Sequence, residues 1–225
     1  PAKFYYGGIV LKLSNELQFS RKVQLRTLLV HSIANNFDDK RNDPKSLLPN
    51  VRTDIVSYLQ QSSTYIERMQ LNYFAKPASQ IFFKFSAGIL ENMYSGIGSE
   101  VLFKPFSSNF SIGAEVYKVQ KREFNRLLKN RDYKVETGHI NLNYYAPKSR
   151  IITNLSFGKY LAGDIGYTLD VSRRLESGFR AGIFFSRTNV SAFEFGEGSF
   201  DKGFYFQIPI DLFLNFYRPG YINFE

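Results

Sequence analysis

The chain has 225 residues, and its 29 Lys and Arg against 20 Asp and Glu give a net charge of +9. It contains no Cys, which excludes disulfides, thiolate metal sites and a cysteine nucleophile. With 44% apolar and 17% aromatic residues it is too apolar for a disordered segment, and it lacks the run of about 18 apolar residues that predicts a membrane-spanning helix. Because it begins at Pro1 without a signal-like apolar segment, we expect a processed product or an excised piece.

Apolar and polar residues alternate along most of the chain, which predicts strands with one apolar and one polar face. The first example spans residues 9–19, where apolar residues occupy odd positions and Lys12 and Glu16 lie between them. The pattern recurs at residues 69–73, 81–89, 112–116, 140–144, 167–171 and 204–210. We expect roughly eleven or twelve strands of about ten residues each, a length that suits tilted membrane-crossing strands.

The connections between these strands alternate in length. Short polar connections are expected at residues 21–22, 76–79, 107–109, 147–149 and 176–178, and longer ones at 35–64, 91–96, 122–133, 161–166 and 195–202. Such alternation is typical of outer-membrane barrels. Within the first long connection, Ile55, Tyr58 and Leu59 lie at helical spacing, so residues 54–61 are predicted to form a short helix or folded flap. A hairpin reaching past the barrel rim is the alternative.

The fold prediction is an all-β, antiparallel, up-and-down transmembrane β-barrel that forms a single domain over residues 1–225. Apolar residues such as Phe83, Phe85, Phe204 and Phe206 are expected to face outward to lipid. A soluble β-sandwich also alternates apolar and polar residues, but its strands are typically shorter.

One cation-rich segment covers residues 122–133 and their flanks. Its anion-contact candidates are Lys121, Arg122, Arg126, Lys129 and Arg131. We expect contact with lipid A phosphates or an acidic polysaccharide, and a solvated loop is the alternative. Nucleic acid is not predicted as a partner, because the aromatic residues lie on alternating apolar faces rather than along a basic groove.

A glycine-rich loop at residues 195–202 carries carboxylates. Glu197 and Asp201 could act on a glycosidic bond if they faced each other, but a rim loop with Lys202 as counter-charge is favoured. Other candidate sites are weak, since the acidic residues at 38–43 lie among cations without EF-hand spacing, and His31 and His139 lack a third ligand. We therefore predict no catalytic residue, no metal and no cofactor.

Several longer stretches carry a family resemblance. They are residues 193–210 (FEFGEGSFDKGFYFQIPI), 159–174 (KYLAGDIGYTLDVSRR), 85–106 (FSAGILENMYSGIGSEVLFKPF), 130–145 (NRDYKVETGHINLNYY) and 47–55 (LLPNVRTDI). Together they cover the chain from about Asn35 to its end, in the same order as in the family, and they resemble the YjbH/GfcD family of Gram-negative exopolysaccharide and capsule proteins. The resemblance implies an outer-membrane β-barrel encoded with polysaccharide synthesis and export components. It also implies that N-terminal and C-terminal parts of the full protein lie outside this chain, and it carries over no catalytic residue.

The expected function is participation in exopolysaccharide secretion from the bacterial outer membrane, as a passive conduit or an assembly component. The partners would be outer-membrane lipid, lipopolysaccharide, the polysaccharide and other secretion proteins. A polar lumen would offer sugars weak, reversible contacts. Its candidate residues are Arg68, Gln70, Asn72, Lys84, Glu100, Lys104, Glu115, Tyr117, His139, Asn141, Asn143, Asp170, Arg174, Gln207 and Asp211. The alternatives are a plugged barrel, a barrel enzyme that trims polysaccharide or lipid, and a soluble sugar-binding sandwich.

Overall fold

The computed structural model describes residues 6–38, 54–191, 201–209 and 221–224. These residues form one twelve-stranded sheet in which the strands follow one another in chain order. The strands are β1 (Gly8–Gln18), β2 (Val23–Asn35), β3 (Thr64–Ala78), β4 (Ile81–Ile89), β5 (Tyr94–Phe103), β6 (Phe110–Arg122), β7 (Asn130–Ala146), β8 (Ile151–Lys159), β9 (Ile165–Arg174), β10 (Arg180–Thr188), β11 (Lys202–Pro209) and β12 (Tyr221–Phe224), and helix α1 (Ile55–Gln61) lies between β2 and β3. The part of the chain described contains no helix long and apolar enough to cross a membrane.

The topology confirms the predicted all-β, antiparallel, up-and-down arrangement, because every strand pairs with the next strand in antiparallel register. The described strands make a single sheet rather than two packed sheets, which excludes the sandwich arrangement for them. The sheet is not closed, since no pairing joins β1 to β12 within the described residues. Closure into a barrel therefore stays a prediction.

The register turns the alternation of the sequence into two chemically different faces. Cross-strand partners in a sheet project to the same side. One row consists of Phe83, Val101, Ala114, Ile140, Phe157 and Tyr167 across β4–β9. The adjacent row consists of Lys84, Glu100, Glu115 and His139 across β4–β7. We call these sides the apolar face and the polar face.

The apolar face is exposed. Among the described residues, 33 large hydrophobic side chains are exposed, whereas nine hydrophobic residues are buried. Phe85, Phe204 and Phe206 are 38%, 65% and 39% exposed, and they lie on this face as expected from the sequence. Soluble monomers rarely expose a contiguous apolar patch larger than a few hundred Å². The apolar face therefore requires an apolar environment or a covering partner.

Two predicted long connections are shorter in the structure. Strand β5 begins at Tyr94 and strand β7 at Asn130, so β4 and β5 are joined by residues 90–93 and β6 and β7 by residues 123–129. The β6–β7 hairpin is longer than predicted, because Arg122 pairs with Asn130 beyond a bulge. The alternation of apolar and polar residues did not indicate this pairing, since residues 120–132 contain few apolar residues. The predicted short helix is present as α1.

The buried core lies under α1, at the end of the sheet where β6 and β7 are joined. Tyr58 of α1 packs with Met93, Tyr94, Val119 and Val135. Val119 and Val135 pair with each other, and Val119 lies two residues from Tyr117 on the polar face. Helix α1 thus packs onto the polar face and covers it at this end.

Candidate functional site: the polar face of the sheet

The polar face carries an open cavity of about 630 Å³, which we call the polar cavity. Its lining runs from Gln24 and Arg26 on β2 to Thr137 on β7, with Leu161 beyond β8. Because residues of so many neighbouring strands line a single cavity, the sheet is concave on this face. The volume falls within the range of about 300–1,000 Å³ that is common for small-molecule sites.

An amide and hydroxyl network forms one wall of the polar cavity. Gln70 Nε2 donates to Asn72 Oδ1 at 2.7 Å and to Ser86 Oγ at 3.0 Å. Ser86 Oγ in turn donates to Asn72 Oδ1 at 2.8 Å. Asn72 and Ser86 are buried, so these bonds satisfy polar groups that water does not reach. The network fixes the side chain of Gln70 on the cavity wall.

Next to this network lies a row of charged and polar side chains in which Glu100 and Glu115 are direct cross-strand partners, and each carboxylate has its own partner on the other side. Lys84 Nζ lies 2.6 Å from Glu100 Oε1, and the Tyr117 hydroxyl donates to the same oxygen. His139 Nδ1 lies 3.0 Å from Glu115 Oε1. A Cβ atom at Gly98 would overlap the ring of Tyr117, so this glycine lets the ring lie flat on the sheet. Opposite charges directly across a sheet stabilise the pairing of its strands.

The polar network continues across β7–β11. Ser156 Oγ donates to Asn141 Oδ1 at 2.5 Å, and the Tyr205 hydroxyl donates to Asp170 Oδ1 at 3.1 Å. Further bonds join Thr168 to Tyr160 at 2.6 Å and to Ser186 at 2.7 Å, and Arg180 Nη2 donates to Ser172 Oγ at 2.8 Å. The polar face therefore carries fixed hydrogen-bonding groups across most of the width of the sheet.

Arg68 differs from the other cations of the polar cavity. Arg26 Nε lies 2.7 Å from Glu16 Oε1, and Lys84 is paired with Glu100. Arg68 Nε donates to the carbonyl oxygen of Leu90 at 3.1 Å, and within the described residues its guanidinium has no carboxylate partner. The half-buried Arg68 thus brings to the cavity wall a positive charge that is held in no ion pair, although the carboxylates of Glu91 and Glu115 line the same cavity.

The structure places most of the predicted lumen residues on the polar face. These residues are Arg68, Gln70, Asn72, Lys84, Glu100, Glu115, Tyr117, His139, Asn141, Asn143, Asp170 and Gln207. Arg174 shares their side but lies at the exposed end of β9. Lys104 lies beyond β5, where its Nζ donates to the carbonyl of Ser108 at 2.9 Å. Asp211 lies outside the described residues.

The sequence analysis missed several residues of this face. They are Gln24, Arg26, Ser86, Thr137, Ser172, Arg180 and Tyr205. Gln24 and Arg26 alternate with Leu25 and Thr27, so the period of two could have found them. The same alternation places Ser86, Ser172 and Tyr205 at polar positions, but they were not selected as lumen candidates.

The five predicted anion-contact cations do not lie together on one surface. Arg122 and Arg126 are buried, and Lys121 forms a buried ion pair with Asp54 at 2.7 Å. Lys129 is exposed. Arg131 is half-buried and reaches Asp54 at 3.5 Å. The clustered cations of the sequence therefore largely turn inward, toward partners that the fold supplies.

Arg122 organises this region through backbone carbonyls. Its Nη1 donates to the carbonyl oxygens of Ile66, Glu91 and Asn92 at 2.9, 3.1 and 2.9 Å. Its Nη2 donates to the carbonyls of Arg126 and Leu127. One guanidinium thereby joins β3, the β4–β5 turn and the β6–β7 loop. The buried charge is thus solvated by the protein itself, and the Arg126 carbonyl accepts a further hydrogen bond from Ile66 N at 3.2 Å.

Arg126 and α1 complete this arrangement. The Arg126 guanidinium stacks 3.2 Å from the ring centre of Tyr65, and its burial lowers its pKa. The Tyr58 hydroxyl donates to the carbonyl of Arg122 at 2.5 Å. Burial, and after it the nearby Asp54 carboxylate, raises the pKa of Tyr58 to about 12. We call Asp54, Tyr58, Lys121, Arg122 and Arg126 the α1 cluster.

The predicted rim loop is only partly described. Glu197 lies outside the described residues. Asp201 is exposed, and its carbonyl accepts a hydrogen bond from Ser186 N at 2.7 Å, while Lys202 begins β11. The absence of catalysis stays a prediction. Within the described ranges, no three His, Asp or Glu side chains are grouped closely enough to hold a metal ion.

Comparison with known proteins identifies the family of the chain. The family model described as "Exopolysaccharide biosynthesis protein YbjH" matches residues 1–221. The chain is 35% identical over 221 residues to the "Uncharacterized lipoprotein YjbH" of Escherichia coli (strain K12). This alignment covers 95% of the chain and 31% of that protein, so the chain spans about a third of the length of its relative. The family resemblance seen in the sequence is confirmed, and the chain belongs to the YjbH family of exopolysaccharide biosynthesis proteins.

Proposed function

We propose that the sheet is part of the wall of an outer-membrane β-barrel, with its apolar face against lipid. The exposed apolar face supports this proposal, because a face of this extent is stable in hydrocarbon and unfavourable in water. The Escherichia coli relative is named a lipoprotein, and this name supports an association of the chain with a membrane. Lipid and lipopolysaccharide are the partners of this face.

The polar face, in this proposal, contacts exopolysaccharide during its secretion. The observation that carries the proposal is the continuous polar network around a cavity of about 630 Å³, on the side of the sheet opposite the apolar face. Amide, hydroxyl and carboxylate groups at fixed positions suit the many hydroxyl groups of a sugar chain. Conduction requires contacts that are weak enough to release the chain, and separate hydrogen bonds of this kind meet that requirement.

The role is passive in this proposal. The charged side chains Lys84, Glu100 and Glu115 are held in fixed pairs, which suits a contact surface. Other exopolysaccharide secretion proteins would supply synthesis and driving force, so the chain acts as a conduit wall or an assembly component.

The test is to obstruct the polar cavity in the full-length protein and to measure secreted exopolysaccharide in cells. Thr137→Trp adds a bulky ring to the cavity lining, and Ile140→Trp adds the same ring to the apolar face of the same strand. We expect secretion to fall with Thr137→Trp and to stay near the wild-type level with Ile140→Trp, at equal amounts of protein in the outer membrane. Equal secretion by the two variants would contradict a contact role for the polar face.

A second experiment separates the passive role from catalysis. Glu197→Gln combined with Asp201→Asn removes both carboxylates of the rim loop. A passive barrel predicts unchanged glycan chain length whatever happens to the amount secreted. Normal secretion of abnormally long glycan would contradict the passive role and favour a barrel enzyme that trims polysaccharide.

A further inference from the structure

Arg68 has an unusual position among the charged residues of the polar cavity. Its Nε is fixed by the carbonyl of Leu90 at 3.1 Å, which orients the guanidinium. An arginine has five N–H donors, and this contact uses one of them. Leu90 and Leu161 contribute apolar surface to the same cavity, which limits the screening of charge by water. The remaining donors have no partner within the described residues.

The other charges near Arg68 do not compensate it. Arg26 is paired with Glu16 and Lys84 with Glu100, while Glu115 is shared with His139. The neighbouring Gln70 and Asn72 bond to each other and to Ser86. The carboxylates of Glu91 and Glu115 also line this cavity, but neither forms an ion pair with Arg68 among the described residues. The Nη donors of Arg68 are therefore the groups of this wall that best suit an anion.

We propose that Arg68 binds the carboxylate of an acidic sugar, and that the polysaccharide contacting the polar cavity is therefore anionic. The planar guanidinium matches a carboxylate through two parallel hydrogen bonds, which ordinary sugar hydroxyls cannot provide. Gln24, Gln70 and Thr137 line the same cavity and supply neutral groups for the hydroxyls of the sugar ring. This inference rests on the proposed contact between the polar face and glycan and names the class of glycan.

The experiment uses the full-length protein in detergent micelles and two sugar probes of equal length. One probe is a galacturonic acid hexamer, which carries a carboxylate on each sugar, and the other is a neutral glucose hexamer. Calorimetry at low salt measures both affinities for the wild type, Arg68→Gln and Arg68→Lys. Arg150→Gln removes one arginine from an exposed turn outside the cavity and serves as the matched control.

We expect the wild type to prefer the acidic probe about 10- to 100-fold, the range for hydrogen bonds to a charged group. Arg68→Gln should abolish the preference, because the affinity for the acidic probe falls much more than the affinity for the neutral probe. Arg68→Lys should restore part of it, Arg150→Gln should keep it, and added salt should reduce it.

The outcomes distinguish this inference from the function on which it rests. If the wild type binds both probes equally, or if Arg68→Gln keeps the preference, the role of Arg68 is overturned while glycan contact stands. If the wild type binds neither probe, both proposals are overturned. Circular dichroism of each variant before titration shows that a lost preference does not come from a lost fold.

Discussion

The polar cavity and the α1 cluster are both rich in polar and charged groups, but they use their arginines in opposite ways. In the α1 cluster, Arg122 donates to five carbonyl oxygens and is fully buried. In the polar cavity, Arg68 donates to one carbonyl and faces a volume of about 630 Å³. The comparison teaches that a dense cluster of cations in a sequence can serve structure, while a single strand cation keeps donors that no other described group uses.

The largest expected effect separates these two arginines. Arg122→Met should lower the free energy of unfolding by on the order of 5 kcal/mol, because it removes five hydrogen bonds that each contribute about 1 kcal/mol. Arg68→Met removes a single such bond and should cost about 1 kcal/mol. Denaturant titration of the protein refolded in lipid vesicles measures both values. Similar losses for the two variants would contradict the contrast between the regions.

Two lysines of β6 sharpen the comparison within one strand. Lys121 forms a buried pair with Asp54, whereas Lys118 pairs with Glu136 at 3.0 Å with both side chains about two-thirds exposed (65% and 67%). Lys121→Met should cost about 3–5 kcal/mol, since it leaves a buried carboxylate with only the more distant Arg131. Lys118→Met should cost far less, because water and salt screen an exposed pair. Denaturant titration in lipid vesicles measures the free energy of unfolding of both variants. An equal loss of stability for Lys118→Met and Lys121→Met would contradict the difference between the exposed and the buried pair.

The two faces of β11 give the next prediction. Phe206→Arg places a charge on the apolar face, and it should cost about 2–4 kcal/mol if that residue lies near the middle of the membrane. Gln207→Arg places the same charge on the polar face of the same strand and should cost much less. Folding titration in lipid compares them, and equal costs would argue against the membrane assignment.

The smallest effect concerns Tyr58. Tyr58→Phe removes its hydrogen bond to the carbonyl of Arg122 and should cost about 1 kcal/mol near neutral pH. The pKa of Tyr58 is raised to about 12 in the folded protein, from an ordinary value of 10.0. Its contribution to stability is therefore complete below pH 10 and is lost as the pH rises from about 10 through about 12. Stability of both proteins measured between pH 8 and pH 12 should converge at the alkaline end, and a constant difference would contradict the raised pKa.

The strands and their faces could be predicted from the sequence because the period of two is a local property. Phe83 and Lys84 are adjacent in the chain, and their alternation assigns them to opposite faces without knowledge of any partner. Helix α1 was likewise predictable, because Ile55, Tyr58 and Leu59 repeat at helical spacing within seven residues.

The roles of the cations were not predictable in this way. Arg122 is buried because Ile66, Glu91 and Asn92 present carbonyls to it from remote positions in the chain. The pattern near residue 122 was equally compatible with a solvated loop. Ser86 shows the same limit, since its complete burial depends on Asn72 and Gln70 of the neighbouring strand. Contacts that are distant in sequence decide whether a polar residue binds ligand or supports the fold.

The central claim is that the apolar face meets lipid and the polar face meets water, and site-specific cysteine labelling in the outer membrane tests it most directly. The chain has no cysteine of its own, so single substitutions report without background from this chain. Ile140→Cys and Phe204→Cys should react poorly with a water-soluble maleimide added to the folded protein. A fluorophore attached to either cysteine before folding should be quenched by nitroxide lipids. Cysteines at Thr137 and Asn141 should react with the maleimide and escape quenching. Equal maleimide reactivity at all four positions, with no quenching at Ile140 or Phe204, would contradict the claim.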